Sequence, residues 1–210
     1  MVASNGVARL YGIIVDDDRG VLDALSALVQ EAGYETKAYT SPRAFLDEHD
    51  PSMPGCVVLD LSMPRMNGLE FQRELVTRGI ERPIIFLSGR GTVPASVEAM
   101  KAGAVDFLPK PCKGDELLNA IKVAEERDRV TLQRAAERRA ASKLIDKLTP
   151  REKEVMELVV RGHMNKNIAA LIGTTVKTVK VHRGHMMKKM GVRSVAELVR
   201  LASKVITELR

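Results

Sequence analysis

Short apolar runs alternate with longer stretches of helical periodicity through the first 110 or so positions, the pattern of a parallel sheet joined by crossover helices. Five runs read as strands: Leu10–Val15, Tyr34–Tyr39, Cys56–Leu59, Ile84–Leu87 and Val105–Leu108. Helices are expected at 19–31, 42–49, 68–77, 94–102 and from 115 onward. Ser41 before Pro42 marks a helix start, because serine can cap free N–H groups and proline fits the first helical position. Gly33 and Gly103 punctuate helix ends ahead of the next strand.

From Asp115 to Lys147 there is neither proline nor glycine, and Glu, Arg, Lys, Ala and Leu dominate, so the fifth helix should continue far past the sheet as a connecting rod. Leu117, Ile121, Ala124, Thr131, Ala135 and Ile145 follow a heptad spacing in part. Asp128 and Arg138 fall on the same seam, which favours a solvated linker helix over a coiled coil. Thr149-Pro150-Arg151-Glu152 then combines a capping Thr, a Pro at the first helical position and a Glu three residues after the cap. A second unit begins there. Val155, Met156, Leu158 and Val159 supply one apolar face, Ile168, Ala169 and Ile172 a second, and Val176, Val179, Met186, Met187 and Met190 a third. Ser194 with Glu197 repeats the capping box ahead of a fourth amphipathic stretch ending near Ile206. The expected architecture is a doubly wound α/β domain with a five-stranded parallel sheet of flavodoxin-like type over 8–120, a helical linker over 121–147, and a four-helix all-α domain over 148–210.

Composition narrows the class. At 210 residues, 45% hydrophobic and 29% charged, the chain has the make-up of an ordinary soluble protein, and two cysteines cannot build a disulfide scaffold or a four-cysteine zinc site. No run of about 18 or more apolar residues offers a membrane span. With no secretory signal ahead of the first apolar run, a reducing cytoplasm is expected. Net charge is −3 over residues 1–114, +1 over 115–148 and +8 over 149–210, so the two domains should meet different partners.

Ligands of open α/β sheets bind beyond the carboxyl ends of the strands. The tips here are polar: Asp16, Asp17 and Asp18 after strand one, Asp60 after strand three, Ser88 after strand four and, through Pro109, Lys110 after strand five. Gathered carboxylates raise one another's pKa unless a cation sits among them, and hard oxygen donors suit Mg²⁺. A carboxylate beside a divalent ion, a lysine and a hydroxyl is arranged for phosphoryl transfer to the carboxylate itself. Asp18 alone reads better as a helix cap.

The segments VDDD, VVLDLSMPRMNG and GRGTVPASVEAMKAGAVDFLPKP resemble the receiver domain of bacterial two-component response regulators, and the third is especially like the FixJ group. The resemblance implies Asp60 as phosphoacceptor, Lys110 as the signature lysine, Ser88 and Phe107 as the switch pair, and Mg²⁺ held by Asp17, Asp60, the Ser62 carbonyl and, through water, Asp16. Cys112 stands where most members have Phe or Tyr; it reads as a small buried thiol rather than a redox sensor. A competing class, aspartyl-phosphate enzymes of the haloacid dehalogenase type, has a second acid two residues after the nucleophile. That position is Ser62, which argues for a slow switch rather than turnover.

Residues 165–190 read as a helix, a turn at Gly173 and a second helix starting near Thr175 or Val176, the helix-turn-helix arrangement. Lys177, Lys180, Arg183, Lys188 and Lys189 crowd the second helix, and Asn165 and Lys166 open the first, all suited to phosphates or base edges. His182 and His185 stand three apart with no third metal ligand near in sequence. LTPREKEVMELVVRGHMNKNIAALIGTTVKTVKVHRGHMMKKMGVRS resembles the LuxR-type DNA-binding domain over essentially its whole length. By that resemblance Lys180 and Val181 contact bases, and Thr175, Thr178 and Arg183 contact phosphate or base. Gly184 and Thr174 depart from the usual pattern. Together the resemblances imply a transcription factor rather than an enzyme, with a sensor histidine kinase and double-stranded promoter DNA as partners, a homodimer on phosphorylation, and RNA polymerase as a further candidate partner.

Overall fold

The computed structural model describes residues 10–50, 53–89 and 91–206; the expected domain limits at 8 and 210 lie outside them. The first unit alternates strands and helices: β1 Tyr11–Val15, α1 Arg19–Glu31, β2 Glu35–Tyr39, α2 Pro42–Glu48, β3 Gly55–Asp60, α3 Gly68–Thr77, β4 Ile84–Ser88, α4 Val93–Lys101, β5 Asp106–Pro109 and α5 Gly114–Asp146. The five strands form one parallel sheet in the order β2-β1-β3-β4-β5. The order reverses between β1 and β3, which opens a crevice at their carboxyl ends.

Every residue of β3 is buried, as befits a central strand covered on both faces. Phe45, Phe71, Leu75 and Ala99 bring α2, α3 and α4 onto one face of the sheet. Leu22, Val29, Leu117, Ile121 and Ala124 bring α1 and α5 onto the other. Gly55 holds β3 close to β1 with φ 148°; a Cβ there would lie 2.0 Å from the Tyr11 carbonyl oxygen, so no side chain fits. The caps are where the local signals put them. Asp18 accepts from the Gly20 and Val21 N–H groups at 2.7 and 3.3 Å, and Ser41 accepts from Ala44 N–H at 3.2 Å ahead of Pro42.

The second compact unit begins within α5, at Gln133. It contains α6 Pro150–Val160, α7 Asn165–Leu171, α8 Val176–Met190 and α9 Val195–Ala202, packed around Val155, Met156, Ile168, Val179, Met186 and Leu198. Leu144 and Ile145 of α5 join this core. Thr149 and Glu152 form the expected capping box. Two details differ from expectation. Ser194 caps Glu197 N–H at 3.1 Å, but Glu197 Oε2 accepts from the Arg193 N–H at 2.8 Å, so the reciprocal half of the box slips by one residue. Helix α9 ends at Ala202; Ile206 reaches the core from the turn that follows. Among the described residues no helix is long and apolar enough to cross a membrane.

Candidate functional site

The carboxyl ends of β1, β3 and β5 bring three charged side chains together. Lys110 Nζ lies 2.5 Å from Asp16 Oδ2 and 2.6 Å from Asp60 Oδ1. The remaining oxygens are held by the backbone: Asp16 Oδ1 accepts from Asp18 N–H at 3.0 Å and Asp60 Oδ2 from Ser62 N–H at 2.7 Å. Both carboxylates are almost wholly buried, at 2% and 5% exposure, and the shared ammonium sets a positive charge between them. Burial works against the charged form of Lys110, but its hydrogen bonds to Asp16 and Asp60 outweigh that, and its pKa is raised. The Lys110–Pro111 peptide bond is cis.

The expected set of acids around a cation is not assembled as such. Asp17 is exposed, and among the described residues no three His, Cys, Asp or Glu side chains converge as a metal cage. The donor set still fits Mg²⁺, which takes only one or two carboxylates and completes its shell with waters and other oxygens.

Ser88 ends β4 and is buried. Phe107 lies on β5 with its ring stacked against Phe86, 5.9 Å between centroids at 26°. Sequence reasoning missed what joins these two. A Cβ on Gly91 would stand 2.7 Å from the Phe107 ring and 3.3 Å from Ser88 Oγ, so the loop after β4 lies directly against both. The signal was there in Gly89 and Gly91, two glycines flanking one residue just past a strand tip. Cys112 packs at the margin of the core between α1 and α5, and burial raises its thiol pKa. Cys56, inside β3, is pushed up to about 12 by burial.

In the second unit Thr175 caps α8, accepting from Thr178 N–H at 3.1 Å, and the two threonine hydroxyls lie 2.9 Å apart. Lys166, Lys177, Lys180, Val181 and Lys188 are exposed. Arg183 donates to Asn165 Oδ1 at 2.9 Å, tying α8 to the start of α7. Lys189, counted among the basic field of α8, is exposed and paired: its Nζ lies 2.6 Å from Glu152 Oε2 on α6. That hydrogen bond, with the Thr149 N–H second, holds the Glu152 carboxyl below its ordinary range. Arg151 pairs with Glu154 at 2.6 Å and donates to the Ile172 carbonyl, bracing the turn between α7 and α8. Gly184 is exposed with open space around it, and α8 runs through it unbroken.

Comparison with known proteins adds a decisive observation. The response regulator receiver domain family matches residues 13–122, and the luxR family of bacterial regulatory proteins matches residues 146–202. The chain belongs to the FixJ/NarL-type response regulators. Among its relatives, nodulation protein W of Bradyrhizobium diazoefficiens is 45% identical over 90% of this chain and 83% of its own length. Response regulator protein TmoT of Ectopseudomonas mendocina is 41% identical over 94% of this chain and 90% of its own. The solved structure of response regulator StyR matches with a TM-score of 0.78 at 40% identity, covering 94% of this chain and all of that one. A response regulator of this type joins a receiver to a LuxR-type DNA-binding domain and acts in transcription regulation. That architecture implies a kinase and DNA as partners.

Proposed function

We propose that Asp60 accepts a phosphoryl group from a sensor histidine kinase in the cytoplasm, and that phosphorylation controls self-association and promoter binding. The observation that carries this reading is the single Lys110 ammonium set between the buried carboxylates of Asp16 and Asp60. An Asp60 oxygen attacks phosphorus, the bond from phosphorus to the donor's imidazole nitrogen breaks, and Lys110 Nζ is already in place to hold an oxygen of the transferred group. Asp17, Asp60 and the Ser62 carbonyl, with Asp16 through water, would hold Mg²⁺, which when bound supplies positive charge to the phosphoryl oxygens. Ser62 offers no acid to activate water, so the acyl phosphate persists as a signal and turnover is at most slow. Ser88 and Phe107 then rearrange with the Gly91 loop that lies against them.

In the second unit α8 enters the major groove, with Lys180 and Val181 at base edges. Asn165, Lys166, Thr175, Lys177, Thr178, Arg183 and Lys188 are assigned to phosphates or neighbouring bases. Dimers bind paired half-sites, and RNA polymerase is a further partner at the promoter. Incubating the full chain with acetyl phosphate and Mg²⁺ tests the reading: wild type should gain one acid-labile phosphate and a stronger gel shift on promoter DNA. Asp60→Asn should gain neither. A full equivalent of acid-labile phosphate on the variant removes Asp60 from the role.

A further inference from the structure

One turn of α5 reaches back across the receiver through three side chains. Glu125 Oε2 accepts from the Tyr34 hydroxyl at 3.1 Å, Arg127 Nη1 donates to the Ala104 carbonyl at 3.4 Å, and Asp128 Oδ2 accepts from the Gly55 N–H at 2.8 Å. Tyr34 and Ala104 sit just ahead of β2 and β5, and Gly55 opens β3. Arg82, just ahead of β4, completes the ring: Nη1 lies 3.6 Å from Asp128 Oδ1 and Nη2 donates to the Asp50 carbonyl at 3.0 Å. The Arg82 and Asp128 side chains are 3% and 1% exposed, and neither Arg82 Nη1 nor Asp128 Oδ1 has a hydrogen-bond partner among the described residues. A buried pair so imperfectly satisfied is poor evidence of added stability, since apolar residues of similar volume often serve as well. Asp128 is also one of the two residues that interrupt the apolar seam, so its presence calls for a positional reason.

That reason is visible further along the helix. From Arg129 to Ala140 no side chain is buried. A helix of about 12 residues is marginal in water by itself, so this stretch takes its order from its ends. The far end is fixed by Leu144 and Ile145 against the second core and by Lys204 on Glu137 at 2.8 Å; Ala141 is fully buried.

We propose that residues 125–128 form a polar clasp, closed on the loops that enter β2, β3, β4 and β5, which keeps α5 wound as it leaves the receiver and so sustains the unburied stretch 129–140. Opening the clasp melts the near half of that stretch and leaves the sheet intact. The inference stands apart from the phosphoryl chemistry, and its test reads no phosphate and no DNA.

Hydrogen exchange on the full chain decides it. The double variant Arg82→Met/Asp128→Leu replaces the buried charges with apolar groups, and Tyr34→Phe removes one hydroxyl from the ring without touching the buried pair. Amides 129–136 should exchange about tenfold faster in the double variant and about threefold faster in Tyr34→Phe, while β1 and β3 stay within about twofold of wild type. Unchanged exchange over 129–136 in both variants overturns the clasp. So does acceleration of β1 and β3 equal to that of the stretch, since the pair would then serve only the fold of the receiver.

Discussion

At the strand tips one lysine is shared by two buried carboxylates, and each carboxylate is also held by a backbone N–H. On α8, Lys177, Lys180 and Lys188 stand exposed and make no ion pair among the described residues. Group transfer needs charges fixed and neutralised before the incoming group arrives, because reorganising them during the reaction raises the barrier. Binding a phosphate backbone needs the reverse: cations free to displace the condensed counterions of DNA. The contrast also sorts the basic residues of the second unit. Arg183 and Lys189 already contact Asn165 and Glu152, so part of the charge on α8 also helps hold the unit together.

The sharpest way to break this contrast is to remove the shared cation. Lys110→Met leaves two buried carboxylates facing each other and should destabilise the receiver by about 3 kcal/mol at neutral pH. All three tyrosines, Tyr11, Tyr34 and Tyr39, lie in the receiver, so tyrosine fluorescence during urea unfolding reports that unit alone. A transition matching wild type would mean that Lys110 does not neutralise the crevice.

On the exposed side, Lys180→Ala should weaken binding to a specific duplex by roughly 1 to 3 kcal/mol and barely change binding to random DNA. Lys188→Ala should weaken both alike and flatten the salt dependence by about one unit of slope. Titrations on the two duplexes at several salt concentrations separate these classes, and equal losses for Lys180→Ala would move it to the backbone class.

The smallest effect tests the pair that Lys189 makes with the buried Glu152. Glu152→Gln should cost the second unit about 1 kcal/mol at neutral pH, a modest figure because Lys189 is partly exposed. The folded Glu152 carboxyl is held below its unfolded value, so its contribution is complete above the unfolded pKa and is lost as pH falls through the depressed folded one. Exchange of α6 and α8 amides should therefore distinguish variant from wild type at neutral pH and converge in acid. A difference that persists unchanged in acid would assign the effect to something other than the Lys189 pair.

Most of this was legible where cause and effect are close in sequence. Asp18, Ser41, Thr149 and Thr175 each cap a helix within three residues of themselves, and local rules find such pairs. The tip residues were legible because strand order and strand ends together locate a crevice. What was not legible involves partners brought together only by folding. Asp128 looked like a flaw in a seam because Gly55 is 73 residues away, and the pairing of Lys189 with Glu152 left no local signal because Glu152 lies on another helix.

The two thiols carry a practical consequence. Cys56 is enclosed in the central strand and protonated far above neutral pH, and Cys112 is half-buried with its pKa raised by burial. Alkylating reagents attack the thiolate, so both native positions should react slowly under mild conditions. A single cysteine introduced at an exposed position of α8 or along the unburied stretch of α5 can then be labelled selectively in the otherwise unaltered chain, without first removing Cys56 from a fully buried strand.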